Sequence, residues 1–336
     1  MVEVLDSVHV RRVPWTARVG TRYLVVKLYR LVRQALAGER PDVVQAFQLN
    51  GVTIAAVAVA LIRRAPLIVK ITGRVNLPVG ASASRRFKVA LISFFSAALV
   101  VPSLALLEAA ITAGLPPPKL HFIPNGVDGD YFRPLGAEER ARLRASLGYG
   151  VENTVFVWVG RLDPAKRLRL LVDAWPEVVE RFPSARLLIV GDGDEHEIAE
   201  GLESRFPTSV RFVGLLADVA PVYQAADASV LTSDSEGLSN TLLEARACGL
   251  PSLAANVPEN AEVLGPQDHW LLFDPGSATS LASCLAVCIA AGRTGSQMER
   301  RRETLARFDE RAVAAQWAEL YTSVLSDARR RRADEA

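Results

Sequence analysis

The chain has 336 residues, 50% hydrophobic, 23% charged and 7% aromatic, with a formal net charge of +2. That length is more than one ordinary domain needs, and the balance is that of a globular protein, so two domains are expected. Few aromatics beside abundant Ala, Leu and Val argue against an all-β sandwich, and basic residues without interleaved aromatics argue against a nucleic-acid binder.

In chain order, Glu3 and Asp6 interrupt the first apolar residues, so no signal peptide is expected. Residues 1–90 carry fifteen Lys or Arg against four acids. Such a basic half suits an anionic lipid surface or an anionic substrate, and it equally suits a solvated arginine-rich surface. From residue 41 short β-branched runs alternate with longer helical ones. PDVVQAF, PLIVKIT, AALVVPS and KLHFIPNG read as strands; VTIAAVAVALIRR, RRFKVALISFF and LALLEAAITAG read as helices, the last stopped by Gly114. Two uncharged runs, residues 43–62 and 89–107, approach membrane-spanning length. Gln45, Gln48, Asn50 and Gly51 in the first, and Pro102 among serines in the second, make each a buried strand joined to a buried helix instead.

After Pro134 the rhythm resets. GAEERARLRASLG is a charged helix ending at Gly148, and TVFVWVG, ARLLIVG, VRFVG, ASVLTS and PSLAA are five further strands. Strands alternating with helices imply right-handed βαβ units, so the fold class is α/β with two doubly wound, Rossmann-like domains. The expected division is 1–134, 135–310 and a helical tail, 311–336, that frays at its end. Cys284 and Cys288 sit four apart in an apolar stretch and read as buried thiols on one helix face. An odd cysteine count without a CxxC pair favours the cytoplasm over a disulfide framework.

The segment SDSEGLSNTLLEARACGLP, residues 233–251, carries the most chemistry. A strand ends in polar residues, Glu236 and Gly237 follow, and a helix starts near Leu238 with Glu244 in its second turn. A helix N-terminus offers backbone N–H groups and the positive end of a dipole, which suits a diphosphate. The two carboxylates can accept from sugar and ribose hydroxyls, and taken alone they read as readily as a loop acid and a surface helix acid. Arg161 and Lys166 follow another strand end and can reach phosphate oxygens at the same sheet edge. Gly191 and Gly193, in LLIVGDGDE, let the backbone approach a ligand. No GxGxxG and no GxxxxGK[ST] occurs, so neither a nicotinamide cofactor nor a P-loop is supported.

FIPNGVDGDYFRP, VGRLDPAKRL, LLIVGDGDE and SDSEGLSNTLLEARACGLPSLAANVPENAEVL, in this order, resemble glycosyltransferase family 4 with the GT-B fold, over roughly residues 40–310. The resemblance implies two domains facing a cleft and a retaining, metal-independent hexosyltransferase without a cofactor. It implies that Arg161 and Lys166 hold the donor diphosphate, Glu244 the ribose and Glu236 the hydroxyls of the transferred sugar. Gly237, Leu238 and Ser239 would offer backbone contacts, and Asn125 and Gly126 would sit at the cleft. The donor expected by family frequency is a UDP-sugar, with a GDP-sugar second. The acceptor would be a glycan or a lipid-linked acceptor in surface polysaccharide biosynthesis. The protein would then be cytoplasmic, or peripheral on the inner face of the plasma membrane.

Three departures from the family pattern stand out. Thr72 and Gly73 replace a commonly present His; His9, His121, His196 and His269 read as structural or surface residues. Pro258 and Glu259 replace the usual Gly-Gly pair, while Glu262 matches. The family's first strand and Gly-rich acceptor loop are expected to be missing, so that VEVLDSVHVRRVP would be the second or third strand of a shortened domain. A catalytically weak nucleotide-binding or scaffold protein, and a GT-B sugar-nucleotide epimerase, are the competing expectations.

Overall fold

A computed structural model describes residues 2–5, 8–11, 32–33, 37, 41–292 and 305–334. Two parallel sheets are each covered by helices. The first takes β3 (Val44–Phe47), β4 (Leu67–Lys70), β5 (Ser96–Val101) and β6 (Leu120–Phe122), in that order. Its crossovers are α1 (Gly51–Arg63), α2 (Ala83–Phe95) and α3 (Leu104–Thr112). The caps explain the boundaries. Asn50 accepts from the N–H groups of Val52 and Thr53 at the start of α1, and Ser103 from Leu106 at the start of α3. Gly114, at φ +84°, takes the left-handed turn that ends α3. The two long apolar runs thus divide into strands and helices. Among the described residues no helix is long and apolar enough to cross a membrane.

The first residues differ from expectation. β1 (Val2–Leu5) and β2 (Val8–Arg11) pair antiparallel with each other, apart from the four-stranded sheet. Two four-residue strands so close in sequence pair most directly that way, because a parallel pairing needs a long crossover.

The second sheet has order β12-β11-β10-β7-β8-β9 and is parallel throughout. Its strands are β7 (Thr154–Val159), β8 (Ala185–Val190), β9 (Val210–Phe212), β10 (Ala228–Leu231), β11 (Ser252–Ala255) and β12 (Leu272–Phe273). The last is a sixth strand beyond the five expected; two residues are too few for a period to show. Helix α4 (Ala137–Ser146) precedes β7, α5 (Leu168–Arg181) follows it, α6 (His196–Arg205) follows β8 and α7 (Ala220–Ala225) follows β9. Phe156 and Trp158 of β7 face one core with α5, while Val155 and Val157 face another with Tyr223 and Leu250. This alternation buries both faces of the strand.

The order reverses where β7 lies between β8 and β10. Ligands bind at the carboxyl ends of strands at such a switch point. Two helices border that end: α8 (Asn240–Ala247) after β10, and α9 (Pro258–Leu264) after β11. Cys284 and Cys288 lie buried on α10 (Ala278–Ala291), where burial pushes the Cys284 thiol up to about 12. Residues 293–304, placed in the second domain by the expected division, lie outside the described residues. The final helix, α11 (Glu310–Asp334), stays helical through its arginine run and returns to the first sheet. There Val313, Leu320 and Val324 pack on Ile68, Ala98 and Val100.

Candidate functional site

The turn after β7 is built to present Lys166. Asp163 accepts from the N–H groups of Ala165 and Lys166, closing a single 3-10 turn over Pro164–Lys166. Thr232, just past β10, donates to the Lys166 carbonyl at 2.6 Å and accepts from the Trp158 indole at 2.9 Å. The lysine backbone is therefore clamped to both strands of the switch point. Its Nζ stands 2.6 Å from Glu236 Oε1, which also accepts from Ser233 Oγ at 2.6 Å. Next to this pair Arg167 meets Asp234 at 2.5 Å. Arg161 donates to Asp163, and its side chain is 73% exposed.

The loop after β10 then turns into α8. Ser239 caps the helix by accepting from Leu242. Glu244 lies one turn further on, beside the buried Tyr223 hydroxyl. Burial holds its carboxyl above the ordinary range, against a smaller opposite pull from Tyr223. A raised folded-state pKa favours the fold increasingly as pH falls from neutral towards the ordinary carboxylate range. A ribose hydroxyl is better accepted by the charged form. If Glu244 holds a ribose as the resemblance implies, acidification from about pH 7 to about pH 5 is expected to weaken nucleotide binding while the local fold holds or gains. Glu244→Gln should flatten both trends. Melting temperature and nucleotide Kd measured together across that range check this, and parallel curves for the two proteins would sink it.

Gly191 and Gly193 serve a neighbouring loop. At φ +142° and +154°, added Cβ atoms would collide with the Gly160 and Leu162 carbonyl oxygens. Their absence of side chains lets the turn after β8 lie against the turn after β7, where Leu162 N–H donates to the Asp192 carbonyl at 2.9 Å. Gly126 similarly admits α11: a Cβ there would come within 2.8 Å of Glu310 Cα.

The first domain closes over this edge. Lys70 Nζ, at the end of β4, donates to Asn125 Oδ1 at 2.7 Å. Asn125 Nδ2 in turn donates to the Leu238 carbonyl at 3.0 Å and to Asn240 Oδ1 at 2.8 Å. The Thr72 carbonyl lies so close to Gly237 that a Cβ would collide with it. Between the domains remains a cavity of about 240 Å³, lined by Lys70, Thr72, Asn125, Lys166, Glu236 and Ser239 among others. The departure at Pro258 and Glu259 also acquires a partner. Glu259, 2% exposed, pairs with Arg74 of the first domain at 2.5 Å, and Glu262 accepts from the Ala105 N–H at 3.2 Å.

Of the residues singled out in the sequence, the cavity gathers Lys166, Glu236, Leu238, Ser239 and Asn125, with Gly237 at its rim. Arg161, Glu244, Gly191 and Gly126 do not line it. Lys70 was not marked by any motif; Thr72 was noted only for the His it replaces, and Asn240 lies inside the 233–251 segment without a role assigned to it. The signal for Lys70 is a charged residue ending an otherwise apolar buried strand.

Two family models match the chain: a glycosyl transferase 4-like domain over residues 2–126 and glycosyl transferases group 1 over residues 153–290. A phosphatidyl-myo-inositol mannosyltransferase of Mycobacterium tuberculosis is 32% identical over 213 residues, 60% of this chain and 53% of that protein. A putative glycosyltransferase, EpsD of Bacillus subtilis, is 27% identical over 216 residues, 62% and 55% of the two chains. The chain spans about half the length of the curated relatives it matches. Among solved structures, Anabaena HepE in complex with UDP-glucose superposes with a TM-score of 0.75 at 25% identity, over 88% of this chain and 82% of that one. With the switch-point cleft between two parallel-sheet domains, these matches show that the chain belongs to the GT4-type glycosyltransferases of the GT-B fold.

Proposed function

We propose that the protein transfers a sugar, with retention of anomeric configuration and without a metal, from a nucleoside-diphosphate sugar to a saccharide or lipid-linked acceptor in surface glycan assembly. The observation that carries this reading is the Lys166–Glu236 pair in the interdomain cleft, at the carboxyl ends of β7 and β10 and ahead of α8. Lys166, with Arg161 swinging in from solvent, would stabilise the charge that grows on the diphosphate as the bond from the anomeric carbon to the phosphate oxygen breaks. Glu236 would accept from sugar hydroxyls, and Glu244 from the ribose. The acceptor hydroxyl would attack from the face the diphosphate leaves, forming the new glycosidic bond and passing its proton to a phosphate oxygen. That path asks no side chain to act as a general base.

UDP is the preferred nucleotide, and the structural likeness to a protein solved with UDP-glucose supports it; GDP is second. The exposed phenylalanines Phe87 and Phe94 on α2, beside Arg85, Arg86 and Lys88, support contact with an anionic membrane surface on the acceptor side.

Calorimetric titration with UDP, GDP and ADP tests the donor site. One nucleotide is expected to bind, and Glu244→Ala and Arg161→Ala should each weaken it about tenfold, roughly 1.4 kcal/mol. If folded protein binds none of the three, the donor site is misassigned and the scaffold reading takes its place.

A further inference from the structure

We propose that Lys70 is an anion-binding residue that takes a phosphate oxygen in the cleft, from the side opposite Lys166. This deepens the reading above and rests on it. Lys70 ends a buried strand of the first domain at the edge facing the second. Its Nζ donates to Asn125 Oδ1 at 2.7 Å and lies 5.6 Å from the centroid of the Trp317 ring on α11. Among the described residues no carboxylate lies within ion-pair distance of it. The acid lining the same cavity, Glu236, is engaged by Lys166 and Ser233.

The arrangement is costly as it stands. Burial disfavours the charged form of Lys70 and pulls its pKa down. A neutral amide oxygen and a ring face compensate a half-buried ammonium only in part. An ammonium carries three N–H donors, of which Asn125 takes one. The two lysines outnumber the one glutamate that lines the cavity, and the positive end of the α8 dipole adds to the excess. Asn125 also fixes where the charge sits, because its amide reaches across to Leu238 and Asn240 at the start of α8. An oxyanion held between Lys70, Lys166 and that helix end would complete the charge balance. Phosphate oxygens can come from the departing diphosphate of the donor or from a phosphate on the acceptor.

Calorimetry on wild type, Lys70→Gln and Lys70→Arg tests this, with uridine, UDP and pyrophosphate as probes, and with pyrophosphate added to UDP-saturated protein. Gln keeps a donor for Asn125 and removes the charge, so a purely structural lysine predicts wild-type binding in Lys70→Gln. The anion site predicts at least a tenfold loss of phosphate-dependent affinity in Lys70→Gln, and retention within about threefold in Lys70→Arg. A loss for UDP but not for uridine assigns the oxygen to the donor diphosphate. Unchanged UDP binding, with pyrophosphate lost only from the UDP-loaded protein, assigns it to the acceptor. If UDP and pyrophosphate bind Lys70→Gln as they bind wild type, the proposal is overturned while the donor site stands. Lys70-dependent binding of pyrophosphate without any nucleotide binding overturns the donor site and leaves the anion site.

Discussion

Lys166→Ala is expected to lower turnover of the nucleotide-sugar donor by about a hundred- to a thousand-fold, the usual cost of removing one group aimed at developing transition-state charge. The fold should survive the change. The turn that carries Lys166 is held through backbone atoms, by Asp163 on the N–H side and Thr232 on the carbonyl, and neither bond uses the side chain. The substitution also leaves the Glu236 carboxylate without its cation at 2.6 Å, which adds repulsion of a bound diphosphate, so the nucleotide Kd should rise as kcat falls. Lys166→Arg keeps the charge but replaces a point charge with a planar fork, and should recover only part of the rate. Steady-state kinetics with the bound nucleotide's sugar, alongside the nucleotide Kd, separate the two effects. A kcat within about threefold of wild type would mean that Lys166 serves the loop and not the leaving group.

Asp268→Ala should cost about 3–5 kcal/mol of stability, the toll for stripping one partner from a buried ion pair. Arg246 is 0% exposed and meets Asp268 at 2.7 Å, and a second guanidinium nitrogen donates to the Leu264 carbonyl at 3.3 Å. An arginine cannot shed its charge to escape burial, so the loss falls on the fold. Arg246 stands two residues beyond Glu244 on α8, so the same change should loosen the helix proposed to face the donor. Urea unfolding gives the stability loss directly; a shift below about 1 kcal/mol would show that the other groups around Arg246 hold it without the aspartate. Changing both residues to apolar side chains of similar volume should cost far less than the single change, since the pair itself adds little net stability.

Much of the architecture could be read from periodicity. The strand runs are short and apolar because both faces of a parallel sheet are covered, and that pattern is local in sequence. The approach of Glu236 and Lys166 was also legible, since each follows a strand of one sheet and both strands end at the same edge. Interactions between residues far apart in sequence were not. Lys70 at a strand end, Asn125 in a loop and Asn240 at a helix start meet from three separate elements, and no spacing rule links them. Glu259 stands where the family pattern has a glycine, and its partner Arg74 lies 185 residues away in the other domain, beyond any local pattern. Gly191 invited a ligand reading because a glycine after a strand permits any close approach; its neighbour proved to be protein backbone. A two-residue strand such as β12 has no period to detect, and antiparallel pairing of β1 with β2 depends on which partner is nearest.

The two domains are joined twice, and the two joints touch. Val127 N–H donates to the Phe308 carbonyl at 2.8 Å, and Glu310 N–H donates to the Val127 carbonyl at 3.3 Å. The outgoing and returning segments therefore cross side by side as a single ribbon, with Gly126 flush against the second of them. These two bonds oppose sliding of one segment along the other, which would break both, more than they oppose rotation about the line of the pair. A rotation of one domain against the other about this paired segment would widen the mouth of the cleft. The reverse rotation would carry Lys70 and the Thr72 loop back onto the edge where the donor would lie.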